Sequence, residues 1–481
     1  MSDGSQNAPG DKKPKALETD YYSQAQIMKQ KLDGVSSSMC LAKWLQVSMH
    51  LTNGLTQSCY HPPVHKMDLE ELAKNPKALH NTEQKKRERQ MMKAGERPKG
   101  CEYCWKIEDA PGEHMSDRHY RSGEPWAREA FDEVVSSPFD YDVNPRYVEV
   151  NFNQTCNLAC AYCSPHISTT WEKEINQFGA YPTLVPHNDI EFLRKQGLMP
   201  ITKKSENPYL KAFWEYWPEL YQDLKVFRMT GGEPLLDPNT FKVLKYIQDK
   251  PKGDLELAIT SNMCVPDELF NKFIDQMKDI VPNKKLGRFM LFPSVDTWGE
   301  QAAYIRHGMD WDIFWTNVNR YLDEVDDGLL TFIVTMNALS VPGLKRFMEG
   351  VLELQKRHNK FFHRVFLDVP YLRYPDWLSL QNLPTDYYPY IEETISFMKS
   401  VPENESSFVG FRDFWIAKME RVFSWMKQDV DPDELIKRKV NFYRFFTEYD
   451  YRKSTDFLKT FPEFESFWQE CESLSLNYPE K

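Results

Sequence analysis

Three of the nine cysteines are gathered in the stretch NQTCNLACAYCSPH, which spans residues 153–166. Cys156, Cys160 and Cys163 are separated by three and then two residues. Thiolates are soft ligands that suit iron–sulfur clusters, zinc or copper(I). Three thiolates in one loop can hold a four-iron cluster and leave one iron open. The alternative is a zinc site that takes a fourth ligand such as the nearby His166.

A second group of four cysteines lies upstream. The segment MCLAKWLQVSMHLTNGLTQSCYHPP contains two alternating runs joined by Asn53-Gly54, a dipeptide typical of β-hairpins. One cysteine precedes the first run, another ends the second, and two more lie two residues apart in GERPKGCEYCW. Four thiols in this arrangement can close one site for zinc or for a [4Fe-4S] cluster, with His61 or His65 as a substitute for one thiol. The four cysteines are Cys40, Cys59, Cys101 and Cys104.

The middle of the chain alternates predicted strands with helical patterns. Strands separated by helices of this length are typical of βαβ units and a parallel sheet. We therefore predict an α/β fold with a partial (β/α)6 TIM-like barrel, whose functional loops lie at the carboxyl ends of the strands. The three-cysteine stretch follows the first of these strands. The six predicted strands are RYVEVNF at 146, LKVFRMT at 224, LELAIT at 255, GRFMLFPSV at 287, LLTFIVTM at 329 and HRVFLDVP at 363.

Shifts in composition divide the chain into five segments. They are a disordered tail at 1–34, a small hairpin-containing metal-cluster module at 35–110, a linker at 111–145, the α/β core at 146–385 and a helical C-terminal region at 386–481.

Composition limits the classes of function. The net charge of -11 argues against non-specific nucleic-acid binding, which needs a basic surface. The sequence contains no run of eighteen apolar residues, and its first residues lack the apolar core of a signal peptide. We therefore expect a cytoplasmic protein without membrane association. Thiols are kept reduced there, which favours metal-binding or catalytic roles for clustered cysteines.

The Cys-x3-Cys-x2-Cys pattern after the first strand, with Tyr162 just before the last cysteine, resembles the radical S-adenosylmethionine (SAM) superfamily. The resemblance implies that the three thiolates hold a [4Fe-4S] cluster. It also implies that the amino and carboxylate groups of SAM chelate the open iron. On this interpretation, the missing fourth ligand is the cofactor.

Further motifs fall where that superfamily places its SAM contacts. The second strand is followed by MTGGEPLL, in which Gly231, Gly232 and Glu233 resemble the superfamily's GGEP motif and are implied to contact the amino group of SAM. The lack of side chains on the two glycines lets a ligand approach their backbone closely. Four other polar residues are implied as contacts to SAM, with the ribose expected at the serine and aspartate and the carboxylate at the arginine. They are Asn262, Ser294, Asp296 and Arg306.

The upstream cysteines resemble the auxiliary iron–sulfur module called SPASM or twitch, here placed before the core. The resemblance as a whole implies reductive cleavage of SAM to a 5′-deoxyadenosyl radical, which abstracts hydrogen from a substrate. It implies an external electron donor such as flavodoxin or ferredoxin, and a second, auxiliary [4Fe-4S] cluster. The substrate is expected to be a peptide or protein, or alternatively a small molecule. A non-catalytic binding protein stabilised by zinc is the alternative from a different class.

Overall fold

The structure is a computed structural model that describes residues 14–201 and 206–478. Its strands are β1 (Gln46–His50), β2 (Leu55–Gln57), β3 (His65–Lys66), β4 (Tyr147–Asn151), β5 (Ala159–Cys160), β6 (Val226–Thr230), β7 (Lys252–Ser261), β8 (Leu286–Val295), β9 (Arg306–His307), β10 (Leu329–Val334) and β11 (Val365–Asp368).

Helices separate and cover these strands. They are α1 (Pro14–Val35), α2 (Ala42–Leu45), α3 (Leu69–Lys74), α4 (Glu83–Lys93), α5 (Glu102–Glu108), α6 (Asp117–Gly123), α7 (Pro125–Arg128), α8 (Phe131–Ser136), α9 (Thr169–Phe178), α10 (Ile190–Lys195), α11 (Pro208–Asp223), α12 (Pro238–Asp249), α13 (Asp267–Ile280), α14 (Gly299–Ile305), α15 (Trp311–Glu324), α16 (Leu344–His358), α17 (Tyr388–Ser400), α18 (Asp413–Met426), α19 (Pro432–Lys453), α20 (Phe457–Thr460) and α21 (Glu465–Leu476). None of these described helices is both long and apolar enough to span a membrane.

The six strands predicted from the sequence form one continuous parallel sheet. They are β4, β6, β7, β8, β10 and β11, and each pairs in parallel with its neighbour in that order. The predicted α/β fold with a parallel sheet is therefore confirmed. Among the described residues the two edges of the sheet are not hydrogen-bonded to each other. The partial-barrel shape stays a prediction.

The upstream hairpin continues this same sheet. β1 and β2 pair antiparallel around Gly54, whose φ of 70° suits the tight turn predicted for Asn53-Gly54. β1 also pairs in parallel with β4, with His50 opposite Asn151 at the carboxyl end. The cysteine-rich N-terminal module is therefore attached to the core through shared backbone hydrogen bonds.

Two predicted segments differ from the structure. Residues 14–34 of the predicted tail belong to helix α1, while residues 1–13 lie outside the described residues. Ala25, Met28 and Leu32 of α1 are at most 2% exposed, because their spacing of three and four residues places them on one buried face. The predicted linker at 111–145 contains α6, α7 and α8, which bury large apolar side chains including Trp126. Both segments are parts of a packed module.

The predicted helical C-terminal region is observed as α17 to α21, and it contacts the core beside the three-cysteine loop. Tyr304 of α14 donates a hydrogen bond to Asp450 Oδ1 at 2.7 Å. The hydroxyl of Tyr449 donates to the backbone oxygen of Tyr304 at 2.8 Å. These bonds fix the end of α14, directly before β9.

Candidate functional site

The three-cysteine loop is fixed by a short strand pair at the carboxyl edge of the sheet. β5 pairs antiparallel with β9, which places Cys160 opposite Arg306. The backbone N–H of Ala161 donates to the oxygen of Ile305 at 2.7 Å. A tight turn follows, in which the N–H of Cys163 donates to the oxygen of Cys160 at 2.8 Å. Two of the three cysteines thus lie in a loop whose position depends on β9.

The glycine motif after β6 packs directly against the beginning of this loop. A Cβ atom on Gly232 would lie 2.3 Å from the backbone oxygen of Thr155, and Gly231 adopts a φ of 125°. The N–H of Glu233 donates to the oxygen of Thr155 at 2.7 Å. The sequence predicts that these glycines admit a ligand. That role stays a prediction, and the structure adds that the backbone of the cysteine loop approaches Gly232 closely, a structural reason for the motif that the sequence did not reveal.

A cavity of ≈ 230 Å³ lies where the loop, the glycine motif and the strand ends meet. All of the residues predicted to hold the first cluster and SAM line it, with the exception of Asp296. The structure thus brings together side chains from five separate segments, while their roles as ligands stay predictions. The predicted residues on the cavity wall are Cys156, Cys160, Tyr162, Cys163, Gly231, Gly232, Glu233, Asn262, Ser294 and Arg306.

Three threonines on the cavity wall were missed by sequence reasoning. Thr230, Thr260 and Thr335 lie at or just beyond the carboxyl ends of β6, β7 and β10. Side chains alternate between the two faces of a strand, so the inward positions of neighbouring strands could have been aligned to find them. Their hydroxyls add hydrogen-bonding groups to the same wall as Ser294.

Asp296 does not face the cavity. It follows the last residue of β8, where the strand alternation that predicted its direction no longer applies. Its side chain is 0% exposed and accepts hydrogen bonds from Tyr162 Oη at 3.0 Å and from Arg306 Nε at 2.6 Å. Asp296 therefore lies behind Tyr162 and Arg306, which both line the cavity. It does not lie at the position predicted for a ribose contact.

Arg306 carries the buried positive charge of this site. It is 5% exposed, and its Nη1 lies 3.9 Å from Cys160 Sγ. Burial raises the pKa of the Cys160 thiol, and the guanidinium of Arg306 acts in the opposite direction. Arg306 thus pairs with Asp296 on one side and approaches a thiol on the other.

Glu233 and Asn262 form the opposite wall. Glu233 is 2% exposed and accepts hydrogen bonds from the N–H groups of Leu235 at 2.9 Å and Asn262 at 2.6 Å. Burial raises the pKa of Glu233 to about 7, although these bonds favour its ionised form. The amide of Asn262 donates to Asn157 Oδ1 at 2.9 Å, which ties this wall to the cysteine loop.

The four upstream thiols line one buried cavity. Cys40 precedes α2, Cys59 follows β2, and Cys101 and Cys104 lie at the start of α5. Burial raises the pKa of all four thiols, and backbone hydrogen bonds near Cys40, Cys59 and Cys104 act in the opposite direction. Such bonds stabilise thiolate ligands and tune a bound metal centre.

The histidines proposed as substitute ligands have other partners. His61 Nε2 lies 2.6 Å from Asp117 Oδ2, and its ring stacks on Tyr103 with 3.7 Å between ring centres. His65 Nε2 lies 2.9 Å from Thr82 Oγ1 and is not part of the cavity wall. At the other site, His166 Nδ1 lies 3.0 Å from the hydroxyl of Ser164.

Neither group of cysteines forms a preassembled site for a single ion. In the part of the chain that the structure describes, no three His, Cys, Asp or Glu side chains are close enough together to hold one metal ion. A zinc ion draws its sulfur ligands to about 2.3 Å from one point. The same finding applies to an iron–sulfur cluster, so it does not separate the two alternatives at either position.

Parts of the chain are similar to GTP 3',8-cyclases. The match to the cyclase of Campylobacter jejuni subsp. doylei is 28% identical over 129 residues, 27% of this chain and 30% of the relative. The match to that of Campylobacter lari is 24% identical over 200 residues, 41% of this chain and 48% of the relative. The match to that of Aliarcobacter butzleri is 27% identical over 133 residues, which are 28% of this chain and 31% of the relative.

The chain thus spans less than half the length of each of these relatives. No family model matches it. The partial similarities support the resemblance to the radical SAM superfamily.

Proposed function

We propose that this protein is a radical SAM enzyme that cleaves SAM reductively at the carboxyl edge of its sheet. One observation carries the proposal. The three thiols of the Cys-x3-Cys-x2-Cys loop share one cavity with the glycine motif and Arg306, and the described residues on its wall include no fourth cysteine and no histidine. The protein thus offers three thiolates and leaves space for the remaining ligand.

The residues present fit a [4Fe-4S] cluster with SAM. The three thiols are the soft donors that such a cluster needs, and the N–H of Leu158 donates to Cys156 Sγ at 3.4 Å. When bound, the cluster and SAM supply a 5′-deoxyadenosyl radical that abstracts hydrogen from the substrate. The protein then has to bind, orient and shield the reactants.

The cavity wall supports a defined role for each polar group. Arg306, held by Asp296, is proposed to bind the carboxylate of SAM through its remaining N–H groups. The carboxylate of Glu233 is proposed to attract the amino group. Hydroxyls of Ser294 and Thr260 are available for the ribose. The near absence of solvent exposure at Glu233 and Arg306 strengthens these polar contacts, because charges interact more strongly away from water.

A larger cavity on the same sheet supports a small charged substrate rather than a polypeptide. This cavity of ≈ 600 Å³ is formed by the amino-terminal parts of β6, β7 and β8 together with α6 and α7. Its wall carries both signs of charge, including Arg228, Arg288 and Glu256. The guanidinium of Arg228 lies 5.1 Å from the centre of the Phe292 ring. Inward-facing positions on the same strands continue to the SAM cavity, and the partial relatives are named for their action on GTP, a small molecule.

We further propose that the upstream thiols hold a second [4Fe-4S] cluster with every iron bound by the protein. All four thiols line one buried cavity. The runner-up is a structural zinc ion at this position, which would leave the SAM chemistry unaffected.

The test starts from protein purified without oxygen. We expect the wild type to hold about eight irons, two clusters of four, and to release 5′-deoxyadenosine when dithionite and SAM are added. The variant Cys156→Ala/Cys160→Ala/Cys163→Ala should hold about four irons and release none. Cys264→Ala/Cys471→Ala is the matched control, because these two thiols line neither cavity. Undiminished product from the triple variant would refute the assignment of the site.

A further inference from the structure

Three cations are buried beneath the upstream hairpin. Lys43 of α2 is 2% exposed, and Lys85 and Arg89 of α4 are both 0% exposed. Burying a charged group is costly unless an opposite charge or several hydrogen bonds compensate for it. Burial lowers the pKa of Lys85 well below its ordinary value, so a source of negative charge is needed mainly for Lys43 and Arg89.

Carboxylates do not supply enough of that charge. Glu88 forms an ion pair with Lys43. Within the described residues, no carboxylate lies within ion-pair distance of Lys85 or Arg89. Lys85 Nζ instead donates to Thr56 Oγ1 at 3.1 Å and to the oxygen of Gln57 at 3.4 Å. Arg89 is held by neutral acceptors, among them Asn81 Oδ1 at 2.9 Å.

The four upstream thiols are the other neighbours of the Lys43 side chain. Its side chain lines the cavity that contains all four upstream cysteines. Burial raises the pKa of the Cys101 and Cys59 thiols, and the positive charge of Lys43 acts in the opposite direction, while the backbone N–H of Lys43 donates to the backbone oxygen of Cys40 at 3.2 Å. Lys43 therefore touches the proposed ligand set from both its backbone and its side chain.

We propose that the buried ammonium group of Lys43 raises the reduction potential of the auxiliary centre. Reduction adds one negative charge to that centre, and a positive charge held nearby in a water-excluded site favours the more negative state. Glu88 acts in the opposite direction because its carboxylate partly offsets Lys43. The inference rests on the proposed function, since it requires a redox-active centre at the four upstream thiols.

The experiment isolates the auxiliary centre in the Cys156→Ala/Cys160→Ala/Cys163→Ala background. Its midpoint potential is measured by a redox titration followed by electron paramagnetic resonance. Lys43→Met should make the potential more negative by at least 59 mV, a tenfold change in the reduced-to-oxidised ratio for one electron. Glu88→Gln should make it more positive. Lys85→Met should shift it less than Lys43→Met, because Lys85 does not line the cavity of the four thiols and burial lowers the pKa of its ammonium group well below the ordinary value.

Lys106→Met is the matched control. This lysine lies two residues from Cys104 on α5, but its side chain is 73% exposed, and water and salt screen its charge. Its substitution should leave the potential unchanged. Shifts of opposite sign for the Lys43 and Glu88 variants distinguish an electrostatic role from a purely structural one, which would move both in the same way.

The remaining outcomes of this experiment would overturn the inference. About four irons with the same potential in the Lys43, Glu88 and control variants would overturn it and leave the proposed function intact. Shifts of one sign for both Lys43→Met and Glu88→Gln would also overturn it. Zinc in place of iron would overturn it together with the proposed second cluster. Should Lys43→Met fail to bind iron, Glu88→Gln alone decides, and an unchanged potential there counts against the inference.

Discussion

The two groups of cysteines have similar surroundings but differ in the number of thiols that they offer to a metal centre. Each has a buried cation close to a thiol, Arg306 in one case and Lys43 in the other, and each cation pairs with one acid. The loop at the sheet edge supplies three thiols next to a cavity of ≈ 230 Å³. The upstream module supplies four thiols from three chain segments, and these meet in a buried pocket.

The two sites are alike in having a buried cation near a thiol, and they differ in the number of protein ligands. A buried cation stabilises thiolates at both sites, so charge alone does not assign the chemistry. An open position admits a reactant, whereas four protein ligands exclude one. Under the proposed function, SAM cleavage takes place at the sheet edge, and the upstream module provides electron transfer or structural support.

The largest effect is expected from removing the closed site. Cys40→Ala/Cys59→Ala/Cys101→Ala/Cys104→Ala should lower the iron content by about four per chain and lower the unfolding temperature, because a bound cluster ties together segments that contribute to one core. The variant should still cleave SAM when no substrate is present. Iron analysis and thermal unfolding measure both effects. A wild type with about four irons and one zinc would replace the second cluster by a structural zinc site.

A smaller effect is expected at the open site. Arg306→Ala should weaken SAM binding at least tenfold, because losing one partner of a buried charged contact costs about 2–5 kcal/mol, and about 1.4 kcal/mol is a factor of ten. Asp296→Asn should weaken it less, since that acid acts through Arg306. Titration calorimetry under anaerobic conditions gives the affinities. Arg288→Ala is the control because Arg288 lines the other cavity, and wild-type affinity in Arg306→Ala would remove that residue from the site.

The smallest of the three effects is expected for the dependence of SAM affinity on pH. Burial raises the pKa of Glu233 to about 7. Below that pH the carboxyl is protonated and no longer attracts an ammonium group, whereas above it the ionised form does. SAM affinity should therefore fall about fourfold from pH 8 to pH 6.5, following the ionised fraction. Glu233→Gln should remove this part of the pH dependence, and an identical profile in both proteins would contradict the proposed contact.

Local patterns in the sequence determined the six core strands and the place of the reactive loop. Alternating apolar residues specify strands, and a loop after a parallel strand must lie at the carboxyl edge of the sheet. For that reason Cys156 and Gly232, separated by most of a βαβ unit, could be predicted to lie at the same edge. These features depend on neighbours along the chain, which a sequence displays directly.

Tertiary structure alone decided how the modules join and where several charges lie. The parallel pairing of β1 with β4 is a non-local contact that no pattern within either strand specifies. Asp296 lies beyond the end of β8, so its direction is set by Arg306 and Tyr162 rather than by strand alternation. Lys43 and Lys85 look like ordinary surface lysines in the sequence. Only the packing of α2 and α4 beneath the hairpin brings these side chains into a buried site, because burial is a property of the assembled fold.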